Sequence, residues 1–168
     1  MRLRHAILSI LAFVTLTGCD SVDDDRIPPY PVSLTFENIG NWELYGISGA
    51  GQYRSFIYTN TERIPADYPF KGLDRTGFGG LLLICDPNGE YLAYDLACPV
   101  EVKNDIRIYV DSDNSLAGIA KCPKCQSTYN LFSYGAPASG EALKKKYGLQ
   151  RYHVSVGSST PPYAVVTR

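Results

Sequence analysis

The chain has 168 residues, 16 basic against 17 acidic side chains and a net charge of −1. That balance excludes the basic footprint of a nucleic-acid binder. Five cysteines, two histidines, one methionine, thirteen tyrosines and eleven prolines suit an extracytoplasmic β protein.

The N-terminus reads as a targeting segment. Arg2 and Arg4 precede an apolar run from Ala6 to Leu16, too short to span a bilayer. Leu16-Thr17-Gly18-Cys19 follows and resembles the bacterial lipobox, with small residues before a cysteine that accepts lipid. The resemblance implies a signal peptide over 1–18, acyl chains on Cys19, and a mature protein of 150 residues held to a membrane of the cell envelope. Several chains on one residue exceed the marginal grip of a single chain. The two arginines leave with the signal, so the mature protein carries 14 basic and 17 acidic residues, net −3.

Residues 19–31 read as a tether. Asp20, Asp23, Asp24 and Asp25 form an acidic, solvated stretch. The cluster resembles the export signal of surface lipoproteins. An aspartate directly after the cysteine also resembles an inner-membrane retention signal, and the two imply different membranes. Pro28-Pro29-Tyr30-Pro31 predicts a stiff extended spacer before a domain over 32–168.

Strand patterns dominate that domain. Val32–Phe36 alternates apolar and polar residues, and Arg54–Tyr58 is a second strand. Pro65, Pro69 and Gly72 break the pattern between Tyr58 and Gly77. The aromatic residues around this segment, Tyr45, Tyr53, Phe56, Tyr58, Tyr68 and Phe70, fit core packing first and a surface contact second. Leu81–Cys85 reads as a strand buried on both faces. Asp86-Pro87-Asn88-Gly89 has the residues of a tight turn, and Glu90–Tyr94 returns. Further strands are expected at Ile106–Val110, Leu116–Lys121, Thr128–Phe132, Leu149–Val156 and Ala164–Thr167, with a turn at Asp111–Asn114 and one helical turn at Glu141–Lys146. The class is all-β, one domain of short antiparallel strands.

Two short loops carry the chemistry: Cys98-Pro99-Val100, and Cys122-Pro123-Lys124-Cys125 followed by Ser127 and Tyr129. Hairpin, cysteine loop, hairpin, cysteine loop, then a Gly-x-Pro segment at Gly135-Ala136-Pro137: this order resembles the Rieske [2Fe-2S] domain. The resemblance covers about Leu81 to Val156 and implies an antiparallel sandwich with both loops at hairpin tips. In that family the loops hold a two-iron cluster through two cysteines and two histidines. Cys98 and Cys122 stand at the cysteine positions. Val100 and Cys125 stand where the histidines belong, and Ser127 and Tyr129 where the family hydrogen-bonds the sulfurs. Gly135–Ala138 would be the proline loop over the cluster.

The departures decide the cofactor. The chain's two histidines are His5, which leaves with the signal, and His153, which fits an exposed strand position. A standard two-cysteine, two-histidine cluster is therefore excluded by counting. Three readings of Cys98, Cys122 and Cys125 remain. They begin a zinc site, with Glu101, Asp95 or a water completing it. They hold an atypical iron–sulfur cluster. Or, as the resemblance implies once iron is removed, Cys98 pairs with Cys122 in a disulfide, with Cys122–Cys125 as the alternative. Cys85 fits a small buried core residue. Cys-Pro-x-Cys is also a thiol–disulfide exchange motif, but there it opens a helix, and here a strand precedes it. No paired carboxylates, no nucleophile beside a base and no phosphate loop point to catalysis. The expectation is a degenerate Rieske-like binding or structural module, with an electron-transfer or metal protein as the alternative.

Overall fold

The computed structural model describes residues 21–111 and 118–168. The lipobox, Cys19 and most of the turn expected at 111–114 lie outside them. The fold is an all-β antiparallel sandwich, twelve strands and two short helices among the described residues. The strands are β1 (Val32–Phe36), β2 (Tyr53–Tyr58), β3 (Arg63–Ile64), β4 (Arg75–Thr76), β5 (Leu81–Cys85), β6 (Tyr91–Asp95), β7 (Tyr109–Val110), β8 (Ile119–Lys121), β9 (Thr128–Asn130), β10 (Ala136–Ser139), β11 (Arg151–Val156) and β12 (Ala164–Thr167).

Eight strands form one curled sheet in the order β3-β2-β5-β6-β11-β12-β1-β4. Its edges approach each other, where the Tyr58 N–H donates to Thr76 Oγ1 at 3.1 Å. The remaining strands form a second sheet, β10-β9-β8-β7. Two cores follow from this layout. Inside the curl, Leu34, Phe36, Phe56, Leu81, Leu83, Cys85 and Val166 pack with Trp42 and Tyr68. Between the sheets, Leu82, Ile84 and Tyr94 meet Val110, Ala120, Tyr129 and Leu131. The β5–β6 hairpin serves both, because its side chains alternate between faces. This is why Leu81–Cys85 is apolar at every position.

Most strand expectations hold with shorter spans. β7 keeps only the end of its expected run, the start of the run expected for β8 lies outside the described residues, and Leu131–Ser133 turns into a 3-10 helix instead of prolonging β9. The expected helical turn is α2 (Gly140–Lys145), while helix α1 (Ile39–Tyr45) had no counterpart in the sequence reading. Its Asn38 cap accepts the Asn41 N–H at 2.9 Å, and it buries only Trp42. Phe56 and Tyr68 lie in the core and Tyr53 is exposed.

The acidic stretch keeps most of its side chains exposed in its described part, but its backbone is tied to the domain. Asp23 bridges Tyr147 in parallel, its N–H donating to Lys146 O and its carbonyl accepting from Gly148, both at 2.8 Å. Asp24 pairs with Arg151 and Asp25 with Arg168, both at 3.2 Å. Ile27 is buried, and the Arg26 guanidinium lies 4.0 Å over the Tyr147 ring. Backbone contacts with the domain therefore begin at Asp23, ahead of the boundary expected at Val32. Among the described residues no helix is long and apolar enough to cross a membrane.

Candidate metal centre

Both cysteine loops lie at one end of the sandwich. The first leaves β6, and its base is closed by the Ala97–Arg107 bridge and by the Cys98 N–H donating to Ile106 O at 3.0 Å. The second joins β8 to β9, with the Cys122 N–H donating to Ser127 O at 3.0 Å. Arg107 also ties the Ala97–Arg107 bridge to neighbouring segments. Its Nε donates to Gly79 O at 2.6 Å, and its Nη1 meets both Glu62 oxygens at 3.0 and 3.1 Å.

Asp95 fixes the approach to the first loop. It is fully buried, and four donors converge on its carboxylate. Oδ1 accepts from Gly79 N at 2.9 Å and Ala97 N at 2.7 Å. Oδ2 accepts from Phe78 N at 2.8 Å and the Tyr152 hydroxyl at 2.7 Å. Burial raises its pKa against these bonds. With both oxygens engaged, Asp95 is removed as a ligand for anything bound at the loops.

The loops bring three sulfurs together. Cys98, Cys122 and Cys125 have their Sγ atoms all within 4.8 Å of one another. Cys98 and Cys122 are fully buried, and Cys125 is partly exposed. The pair in hydrogen-bond contact is Cys98 and Cys125, 3.6 Å apart. All four described cysteines are free in this structure, with the Cys98 and Cys122 sulfurs within 4.8 Å of each other. Cys85 packs in the other core, among Trp42 and Leu83, and His153 is exposed on β11 opposite Thr167.

The thiols differ in acidity. Burial is the largest influence on Cys122 and, with the neighbouring Cys98, pushes it up to about 12 despite the backbone N–H groups of Cys125 and Lys124. Burial also pulls Cys125 upward, but the hydroxyl and N–H of Ser127 and the neighbouring thiols outweigh it and hold Cys125 below the ordinary range. Ser127 is positioned for this because its Oγ accepts the Ala142 N–H at 3.1 Å. That contact needs a glycine at 140. Its φ is +74°, and a Cβ there would stand 2.8 Å from Ser127 Oγ. The Tyr129 hydroxyl lies 3.4 Å from Cys98 Sγ. Burial, then Cys98 itself, raises the Tyr129 pKa far above its usual value, so it remains a hydroxyl.

Ser127 and Tyr129 thus both contact the sulfurs, Tyr129 at Cys98 and Ser127 at Cys125. Val100 packs against the inter-sheet core beside them and supplies no ligand atom. Gly135–Ala138 forms no free covering loop. Ala136–Ser139 is edge strand β10, with Pro137 opposite Tyr129.

The donor set fits a thiophilic ion that accepts four ligands, three of which are present. It does not fit a two-cysteine, two-histidine cluster, since no described histidine stands with the three sulfurs. One contact escaped the sequence reading. Lys124 Nζ lies 3.1 Å from a Glu101 oxygen and ties the two loops together. The charge pair was visible only once both loops were placed at one tip. Comparison of the chain with protein-family models, with curated proteins and with solved structures returns no match.

Proposed function

We propose that this chain is a lipid-anchored, non-catalytic module of the bacterial cell envelope, a Rieske-like domain whose cluster tip now serves as a three-thiol metal site. The observation that carries this reading is the convergence of the Cys98, Cys122 and Cys125 sulfurs, all within 4.8 Å of one another. Three cysteine ligands from two loops, with hydroxyls of Ser127 and Tyr129 behind them, suit zinc or another soft divalent ion. Outer hydrogen bonds of this kind orient metal-bound thiolates. When bound, the ion would cross-link the loops and complete the fold's tip. The Rieske-like assignment rests on the loop order and on the positions of Ser127 and Tyr129. The lipid anchor rests on Leu16-Thr17-Gly18-Cys19.

The second reading, a metal-free dithiol module, is favoured by the 3.6 Å approach of Cys98 to Cys125. One preparation separates them. Protein from residue 20 is expressed and assayed for metal, visible absorption and free thiols. One zinc per chain and a colourless solution are expected. A brown, iron-bearing protein would replace zinc with an atypical cluster. A metal-free protein lacking two thiols would refute the metal site. For the anchor, the full chain is labelled with tritiated palmitate. Label is expected in the membrane fraction of wild type and absent from Cys19→Ser. Equal labelling of the two would refute the anchor.

A further inference from the structure

A tetrahedral ion held by three sulfurs lacks one ligand. Cys85 sits in the other core and Asp95 already accepts four hydrogen bonds. A water or Glu101 remains.

The two loops are copies of each other in backbone geometry. Each begins Cys-Pro: Cys98-Pro99 and Cys122-Pro123. In each, the N–H of the fourth residue after the cysteine donates back to the cysteine carbonyl. Val102 N reaches Cys98 O at 2.9 Å, and Gln126 N reaches Cys122 O at 3.1 Å. In each, that fourth residue is left-handed, Val102 at φ 50° and Gln126 at φ 59°. This region is unfavourable for a β-branched valine, so the first loop adopts the shape against its local preference. Residue matches residue along the pair: Cys98 with Cys122, Val100 with Lys124, and Glu101 with Cys125. Cys125 supplies the third sulfur. Its counterpart is the glutamate.

We propose that Glu101 is the fourth ligand, closing a site of Cys98, Glu101, Cys122 and Cys125 around a zinc-class divalent ion. This rests on the reading of the three thiols as metal ligands. The Glu101 side chain is 16% exposed, and its carboxylate is held against the second loop by Lys124. Lys124 is 56% exposed, so the ion pair is a solvent-screened one and yields readily. Binding releases the thiol protons to solvent, forms three metal–sulfur bonds and exchanges Lys124 for the metal at the carboxylate. Three thiolates and one carboxylate leave a site charge of −2 around a divalent ion. A site closed by four side chains is structural, whereas a water in the fourth position would leave it open to an outside ligand.

Cobalt(II) reports both the ligand number and the thiolate count. Reduced protein from residue 20 is titrated with cobalt(II), then with zinc in competition, for wild type, Glu101→Gln, Glu101→Cys and Lys124→Met. Wild type is expected to take one tetrahedral cobalt with the charge-transfer band of three thiolates. Glu101→Gln is expected to lose at least about ten-fold in affinity, no less than loss of an outer-shell partner costs. Glu101→Cys is expected to add a fourth thiolate, raising that band by about one third. Lys124→Met is expected to bind at least as tightly as wild type. A Glu101→Cys spectrum identical to wild type, or undiminished affinity in Glu101→Gln, would overturn Glu101 while leaving the three-thiol site standing. Wild type binding no cobalt would overturn the metal site itself. If Glu101→Gln does not fold, Glu101→Cys decides the matter alone.

Discussion

Replacing Asp95 tests how the fold holds the first cysteine loop. Asp95→Ala removes the acceptor of Phe78 N, Gly79 N, Ala97 N and the Tyr152 hydroxyl. The Tyr152 hydroxyl is buried but is a rotor that can turn its hydrogen elsewhere, and the Phe78 N bond is only partly buried. Gly79 N and Ala97 N bond to Asp95 entirely within the interior. Each orphaned buried donor costs about 1–3 kcal/mol, so the two together predict a loss of about 4 kcal/mol. Typical domains have only about 5–15 kcal/mol in all. At this chain length that loss lowers Tm by about 8–16 °C. Asp95→Asn keeps one oxygen and turns an amide toward the other two donors, so its loss should fall between wild type and alanine. Urea unfolding followed by tyrosine fluorescence, together with calorimetry, measures both. A loss below about 1 kcal/mol for Asp95→Ala would refute the claim that this carboxylate organises the approach to Cys98.

Three further outcomes follow from the site and the N-terminal segment. In metal-free, reduced protein at pH 8, iodoacetamide should modify Cys125 first and leave Cys122 unmodified. The thiolate is the reactive form, Cys125 is held acidic and Cys122 is pushed to about 12. Peptide mass spectrometry after timed quenching reads the order. Raising the pH toward 12 should bring Cys122 into reaction, and equal rates at pH 8 would contradict the pKa assignments. Tyr129→Phe removes the hydroxyl 3.4 Å from Cys98 Sγ and should weaken zinc about ten-fold, measured by chelator competition, without changing the circular dichroism of the fold. Ile27→Ala should cost about 2–3 kcal/mol in urea unfolding, because Ile27 is buried. A solvated tether predicts no change.

Much of this was readable before the structure. Leu81–Cys85, its Asp-Pro-Asn-Gly turn and Glu90–Tyr94 announce a hairpin because apolar run, turn chemistry and return strand all agree. The meeting of Cys98, Cys122 and Cys125 was legible from loop order. What failed was whatever depends on distant partners. Asp24 and Asp25 look unpartnered until Arg151 and Arg168 arrive from the far end of the chain, although Asp25 stays mostly exposed. Helix α1 is seven residues long with one buried side chain, Trp42, so no helical period could show. Strands β3 and β4 are two residues each, too short for alternation. The left-handed Val102 carries no signal in its residue type, and with it went the correspondence that aligns Glu101 with Cys125.

The packed N-terminal segment sets a geometric bound. With acyl chains on Cys19, as proposed, four residue steps separate the lipid from Asp23, where the chain joins Tyr147. Extended chain covers at most ~14 Å over that span. Arg26, three steps later, has its Nε 3.4 Å from Pro99 O on the first cysteine loop. The backbone contour from lipid to Arg26 is then at most ~25 Å, and the Arg26 side chain spans the remaining gap to that loop. The domain would skim the membrane surface rather than sample a hemisphere above it. Any partner anchored in the same leaflet would meet the cysteine tip by lateral diffusion, in two dimensions.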